Sequence, residues 1–167
     1  MKHLWSPWRM PYIEGSEKEE GCLFCNKLQE EDGPENLIFY RGAKVFALLN
    51  RFPYTTGHLM IVPYEHVHSL EMLDDDARAE LIHLTSEAVR VLRVGYNAEA
   101  FNIGMNIGEA AGAGVADHVH IHVVPRWAGD TSFMSTTANT RVIPEALEET
   151  YIRIQAVWKE DISSKDS

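Results

Sequence analysis

Apolar positions along this chain fall into short blocks, and the spacing inside the blocks changes from one to the next. "NLIFYRG" and "KVFALLN" are brief apolar runs separated by the turn-like Gly42-Ala43, the pattern of a β-hairpin. "RFPYTTG" interrupts the pattern as a loop, and "HLMIVP" reads as a third strand stopped by Pro63. From Asp74 the period lengthens. Ala77, Leu81, Leu84, Ala88 and Val91 share one stripe at helical spacing, with Asp74 placed to cap the start and Gly95 to close the end. "AFNIGMN" predicts a fourth strand and "HVHIHVV" a fifth, ended by Pro125. Residues 144–158, "PEALEETYIRIQAVW", open with a proline near the first helical position. They line up Leu147, Tyr151, Ile154 and Trp158, which predicts a terminal helix.

The ends carry no such period. Residues 1–16 are rich in aromatics and prolines and predict an extended strap over the body. "GCLFCNKLQEEDG" predicts a helical turn running into a loop at Gly33-Pro34, and residues 161–167 a flexible tail. Strands that follow one another on tight links, with helices interrupting rather than alternating, predict an α+β fold. It would be an antiparallel sheet with helices on one face, not a doubly wound parallel sheet. With no repeat and no boundary, residues 1–160 read as a single domain.

Composition narrows the function. The 167 residues suffice for one core, with 45% hydrophobic and 24% charged residues, as in a globular protein. A formal net charge of −10 argues against a nonspecific grip on nucleic acid, which rests on Lys and Arg against phosphates. A small phosphorylated ligand stays compatible with it, since local amides and a few side chains can hold one. No apolar run approaches the ~20 residues of a membrane helix, and "MKHLWSPWRM" lacks a signal-peptide core, so a cytoplasmic location is expected. Two cysteines, spaced Cys22-x-x-Cys25, are no disulfide framework; they fit half a zinc site, a redox pair, or two packed thiols.

"DHVHIHVVPRW" concentrates three of the eight histidines in five positions. On a strand, His118, His120 and His122 share one face, and Val119, Ile121 and Val123 share the other. The apolar face packs on the core; the histidine face needs its own reason. A solvated face would be served as well by Thr or Lys. A single metal bound by all three is poor geometry, because at ~3.3 Å per residue the outer two stand about 13 Å apart. The remaining reading is nucleophilic and acid–base chemistry, with a central imidazole whose neighbours orient it and carry a proton. The preceding "NIGMNIGEAAGAGVAD" has glycines at 104, 108, 112 and 114, which let backbone N–H groups approach an anion. No Gly-Lys-Ser/Thr follows, so it is not a P-loop, and "GAGVAD" leads into a strand rather than a dinucleotide-binding helix. Asn102 and Asn106 are candidate amide donors there, or caps of a turn.

"HVHIHVV" resembles, residue for residue, the motif of the histidine triad family. "LLNRFPYTTGHLMIVPYEHV" and "NIGEAAGAGV" resemble that family's other blocks, so the likeness spans about residues 22–130. The resemblance implies a five-stranded antiparallel sheet with two main helices, continued to ten strands across a homodimer. It implies attack by His120 on the α-phosphate of a nucleotide, with His122 near the bridging oxygen of the leaving group and His118 orienting the site. His58 matches a further active-site histidine, Asn50 a ribose contact and Asn106 a phosphate contact. The amides of the glycine segment, including Gly112 and Gly114, would stabilise charge on phosphorus. "LWSPWRMPYI" and "HVVPRWAGDTSFM", with Trp127 as a further substrate contact, resemble the branch that splits diadenosine tetraphosphate with inorganic phosphate as co-substrate, giving ATP and ADP. Transferase branches often carry Gln at the third triad position; His122 stands there, as in hydrolase branches. Zinc-bearing relatives imply a structural zinc held by Cys22, Cys25, His66 and His118, with His68 as a substitute for His66; a thioredoxin-like context for a redox pair is missing. Three functions follow as expectations: phosphorolysis or hydrolysis of dinucleoside polyphosphates, a phosphoramidase-like hydrolysis of mononucleotide conjugates, or a nucleotide-binding dimer without turnover.

Overall fold

A computed structural model describes residues 21–130 and 145–165. The predicted N-terminal strap, Pro144 and the "TSFM" segment lie outside those residues. In chain order the elements are α1 (Leu23–Lys27), β1 (Ile38–Arg41), β2 (Val45–Leu49), β3 (Leu59–Pro63), α2 (Asp75–Tyr96), β4 (Ala100–Gly104), β5 (Ile121–Arg126) and α3 (Leu147–Lys165). Strands pair antiparallel in the order β1-β2-β3-β5-β4. This is the α+β sheet with two main helices that the pattern of runs predicts.

The central strands are apolar along their whole length because both faces of the sheet are covered. Alternate residues divide between two cores. Val45, Ala47, Leu49, Leu59, Ile61, Ile121 and Val123 meet the stripe of α2 and Tyr151, Ile154 and Trp158 of α3. Ile38, Phe46, Leu48, Met60 and Val62 point the other way and close over Phe24 of α1. The register places His122 opposite Met60 on one side and Gly104 on the other, so the histidines belong to this second face.

α2 begins as expected: the Asp74 carboxylate accepts from the Ala77 amide at 2.7 Å. It ends differently. Gly95 lies inside the last turn, where a Cβ would stand 3.6 Å from Val157 of α3, and the helix closes at Asn97, in the left-handed conformation at φ 49°. Asn is the residue other than glycine that best tolerates that conformation. α3 runs on to Lys165, beyond Trp158, into residues expected to form a tail. Gly57 is required where it stands. Its φ of +77° is strained for any other residue, and a Cβ there would also press on the Leu92 side chain of α2 at 2.9 Å.

Candidate active site

The histidine row is not one strand. β5 starts at Ile121 and passes through Pro125 to Arg126, so His118 and His120 stand before the ladder rather than in it, and the proline does not end the strand. Alternation survives without the ladder, because the Val119 amide donates to the Val67 carbonyl at 2.8 Å and keeps that segment extended. Val119, Ile121 and Val123 are 2%, 3% and 0% exposed in the main core, as expected of the apolar face.

Each imidazole is held by different partners, and these settle which nitrogen carries the proton. His118 donates from Nε2 to the Pro63 carbonyl at 2.9 Å, which turns its Nδ1 lone pair towards Cys22 Sγ at 3.3 Å and Cys25 Sγ at 3.7 Å. His120 donates from Nδ1 to the His118 carbonyl at 2.8 Å, leaving the lone pair on Nε2. His58 accepts at Nδ1 from the Tyr54 amide at 3.1 Å, with the Asn50 side-chain amide at 3.3 Å. Its proton is therefore on Nε2, which meets His122 Nδ1 at 3.0 Å. His122 in turn carries its proton on Nε2. Asn50 is itself oriented, because its Oδ1 accepts from the Phe52 amide at 2.9 Å. The ring centroids of His120 and His122 lie 4.8 Å apart and those of His58 and His122 5.1 Å apart, while Tyr54 lies over His58.

Burial is the main electrostatic influence. It pushes His118 and His120 below the ordinary imidazole range, against the opposing pull of the carbonyl each donates to. His120 is 4% exposed and so keeps a neutral ring with an available lone pair at neutral pH. Burial likewise pushes the Cys25 thiol up, and the neighbouring Cys22 adds to this.

Cys22, Cys25, His66 and His118 bring one ligand atom each to within 4.8 Å of one another. Cys25 Sγ and His66 Nδ1 are 3.4 Å apart. Tetrahedral zinc with Zn–S of about 2.3 Å and Zn–N of about 2.0–2.1 Å needs ligand–ligand edges of roughly 3.3–3.8 Å; the thiol–imidazole separations of 3.3, 3.4 and 3.7 Å match such edges, and two sulfurs with two imidazoles suit the ion in chemistry. His68 is not part of this group; His66 is. Since both ring nitrogens of His118 are taken, by the thiol cluster and by Pro63, its contribution to His120 comes from its backbone carbonyl.

The other expected contacts are distributed unevenly. Asn50 reaches the histidines, whereas Asn102 accepts from Arg126 at 2.8 Å instead. Asn106 lies two residues beyond the Gly104–His122 pair, half-buried. In the glycine segment the Gly112 amide donates to the Glu109 carbonyl at 2.9 Å, closing a 3-10 turn over Glu109–Ala111, so that N–H is committed within its own loop. Gly114 follows that turn, exposed on the approach to His118. Trp127 shares the parity of Ile121 and Val123, so it lies on the helix side of the sheet, packed against the core with its indole N–H donating to the Tyr96 carbonyl at 3.1 Å. Arg126 forks onto Asp130 and closes the turn between them. Within the chain, "PRWAGD" thus clasps the end of β5 to the end of α2. Sequence reasoning missed Tyr54, Pro63, Val67 and Phe24. Pro63 and Val67 act through backbone carbonyls, which leave no side-chain signal, and Tyr54 through its amide as well as its ring; Phe24, whose ring meets those of His118 and His120, is marked in the sequence by its place between the two cysteines.

The comparisons agree with this geometry. The HIT domain model matches residues 32–129. An AP-4-A phosphorylase of Mycobacterium tuberculosis is 38% identical over 165 residues, covering 95% of this chain and 85% of that protein. An uncharacterised HIT-like protein of Saccharolobus solfataricus is 32% identical over 113 residues, 68% of this chain and 79% of its own. Among solved structures, a Zn-bound histidine triad family protein from Mycobacterium smegmatis superposes with a TM-score of 0.70 at 27% identity, over 86% of this chain and 97% of that one. A row of histidines divided between a thiol cluster and a buried lone pair, on this sheet and with these relatives, places the chain in the HIT domain family.

Proposed function

We propose that this protein is a nucleotidyltransferase that cleaves dinucleoside polyphosphates at an α-phosphate, with diadenosine tetraphosphate as substrate and inorganic phosphate as acceptor. The observation that carries the reading is the tautomer chain. His120 presents an unprotonated Nε2, and beside it His122 presents Nε2–H, backed by the proton of His58. That pairing of a nucleophile with a hydrogen-bond donor for the leaving oxygen is what an in-line displacement at phosphorus needs. The similar AP-4-A phosphorylase supports the choice of substrate and acceptor.

In the first half-reaction His120 Nε2 forms a bond to the α-phosphorus, and the bond from that phosphorus to the bridging oxygen breaks. ATP leaves as its anion, the oxygen released from phosphorus accepting a hydrogen bond from the Nε2–H of His122. The adenylylated ring is cationic, and its Nδ1–H remains on the His118 carbonyl, which stabilises the charge. The incoming phosphate binds through the same N–H, its oxygen attacks phosphorus, the N–P bond breaks, and ADP leaves carrying whatever proton the phosphate brought. Asn106 and the amide of Gly114 are placed in this reading on the phosphate. Cys22, Cys25, His66 and His118 would hold a structural zinc that locks the loops carrying them. The chain is read as a homodimer joined along β4, an edge strand with Ile103 49% and the following Ile107 41% exposed, which light scattering would report directly.

The test is product analysis with diadenosine tetraphosphate, with and without phosphate. ATP plus ADP, formed only when phosphate is present, is the expected result. ATP plus AMP, or two ADP, would make the protein a hydrolase; cleavage of an adenosine phosphoramidate alone would move it to the phosphoramidase-like reading. Tight binding without any cleavage would leave a binding module.

A further inference from the structure

We propose that Phe24 is a positioning residue for the nucleophile His120, an inference that rests on the covalent reading above. Phe24 is 1% exposed and sits between the two cysteines on α1. It belongs to the buried apolar cluster of Ile38, Phe46, Leu48, Met60 and Val62. The ring also meets two imidazoles, His118 with centroids 5.3 Å apart at 75° and His120 at 4.9 Å and 57°.

The need for such a contact follows from how His120 is tethered. One hydrogen bond, Nδ1 to the His118 carbonyl, fixes a point on the ring but leaves it able to pivot about that bond. The ring plane, and with it the direction of the Nε2 lone pair, is set by what touches the ring: Phe24, and His122 at 4.8 Å and 74°. His122 is itself hydrogen-bonded to His58 and donates to the leaving oxygen in the reaction. Phe24 is the inert contact, anchored in a core and unable to exchange protons. Attack on phosphorus needs the lone pair in line, and misplacement by ~1 Å can cost on the order of a hundredfold in rate. The same short helix therefore delivers two thiols to the Cys–His cluster and an aromatic ring to the nucleophile.

The experiment compares Phe24→Leu with Ile38→Val, which loosens the same apolar cluster from β1, three strands from β5 in the sheet order. Melting temperature, metal content, kcat and KM for diadenosine tetraphosphate in phosphate, and nitrogen-15 spectra of the histidine rings are measured for each. The expected result is a kcat for Phe24→Leu lower by about tenfold or more with KM within about twofold, and His120 ring signals shifted or broadened from the parent's as the ring loses its single orientation. Ile38→Val keeps the parental kcat and ring signals at a similar loss of melting temperature. Parental kcat in Phe24→Leu overturns the proposal. So does a kcat loss shared by Ile38→Val, one that follows metal content instead of the ring signals, or a change confined to KM. If the parent chain cleaves no dinucleotide, the covalent reading has failed, and the ring spectra of the two variants still decide whether Phe24 orders His120.

Discussion

Three of the four histidines around the second face of the sheet have one nitrogen committed to a protein group that only accepts or only donates, and that makes their roles differ. A carbonyl at Nδ1 of His120 leaves the opposite lone pair, whereas an amide at Nδ1 of His58 forces the proton to the opposite side. His120→Ala is expected to abolish turnover while nucleotide binding persists, as read by product assay and calorimetry; unchanged turnover would sink the covalent mechanism. His58→Ala removes the donor that holds His122 with its proton outward. Its kcat should fall by roughly ten- to a hundredfold, short of the ~10²–10⁴ that a full acid or base supplies, with KM little changed. Equal losses in His58→Ala and His122→Ala would instead make His58 a direct participant.

At the level of elements, the site is held by links from outside β5. The Pro63 carbonyl at the end of β3 and the Val67 carbonyl just beyond it fix His118 and Val119, so the loop carrying His66 and the run carrying His118 come together. The hairpin that frames this face is gripped by α2, where the Glu80 carboxylate accepts from the Ala43 and Lys44 amides at 2.8 and 2.6 Å. Glu80→Ala leaves both donors without that partner and should cost about 1–2 kcal/mol, a drop of roughly 3–6 °C in melting temperature. Nearer α1, Asp32 accepts from Arg41 at 2.8 and 2.7 Å, and the guanidinium holds its carboxyl below the usual carboxylate range. A carboxyl lowered on folding stabilises the protein above its unfolded pKa of ~3.9 and loses that contribution as pH falls through the folded value. The melting temperature of Asp32→Asn should therefore lie below that of the parent near pH 7, with the gap closing as pH approaches 3.

Across the whole molecule, the sheet separates work between its faces: helices and bulk core on one, histidines and the Cys–His cluster on the other. Closing that cluster joins α1, the segment after β3 and the start of the histidine row, which are distant in sequence. If zinc is bound there, its removal by a chelator should lower the melting temperature on the order of 10 °C, and the metal should assay at about one per chain. Unchanged melting after complete stripping would rule out a structural role. No helix among the described residues is long and apolar enough to cross a membrane.

Much of this was legible in the residues. Period-2 alternation in "HVHIHVV" separates histidines from core valines whatever the surroundings, because consecutive side chains of an extended chain must point opposite ways. The stripe from Ala77 to Val91 and its Asp74 cap are equally local, and so is the hairpin at Gly42-Ala43. Gly95 misled because a glycine in a helix can also serve a close helix crossing, and which of the two it does depends on Val157, distant in the chain. The contacts of Arg126 with Asn102 and of Trp127 with Tyr96 were hidden for the same reason, since those partners lie far away in the chain. What the sequence by itself determined, then, is the set of elements and which residues share a face, both products of backbone geometry and side-chain period. Only the tertiary structure decided which nitrogen of each histidine holds a proton, and that His118 serves the thiols while His120 keeps its lone pair. Those outcomes turn on carbonyls and amides of Pro63, His118 and Tyr54, groups every residue carries and only the fold can aim.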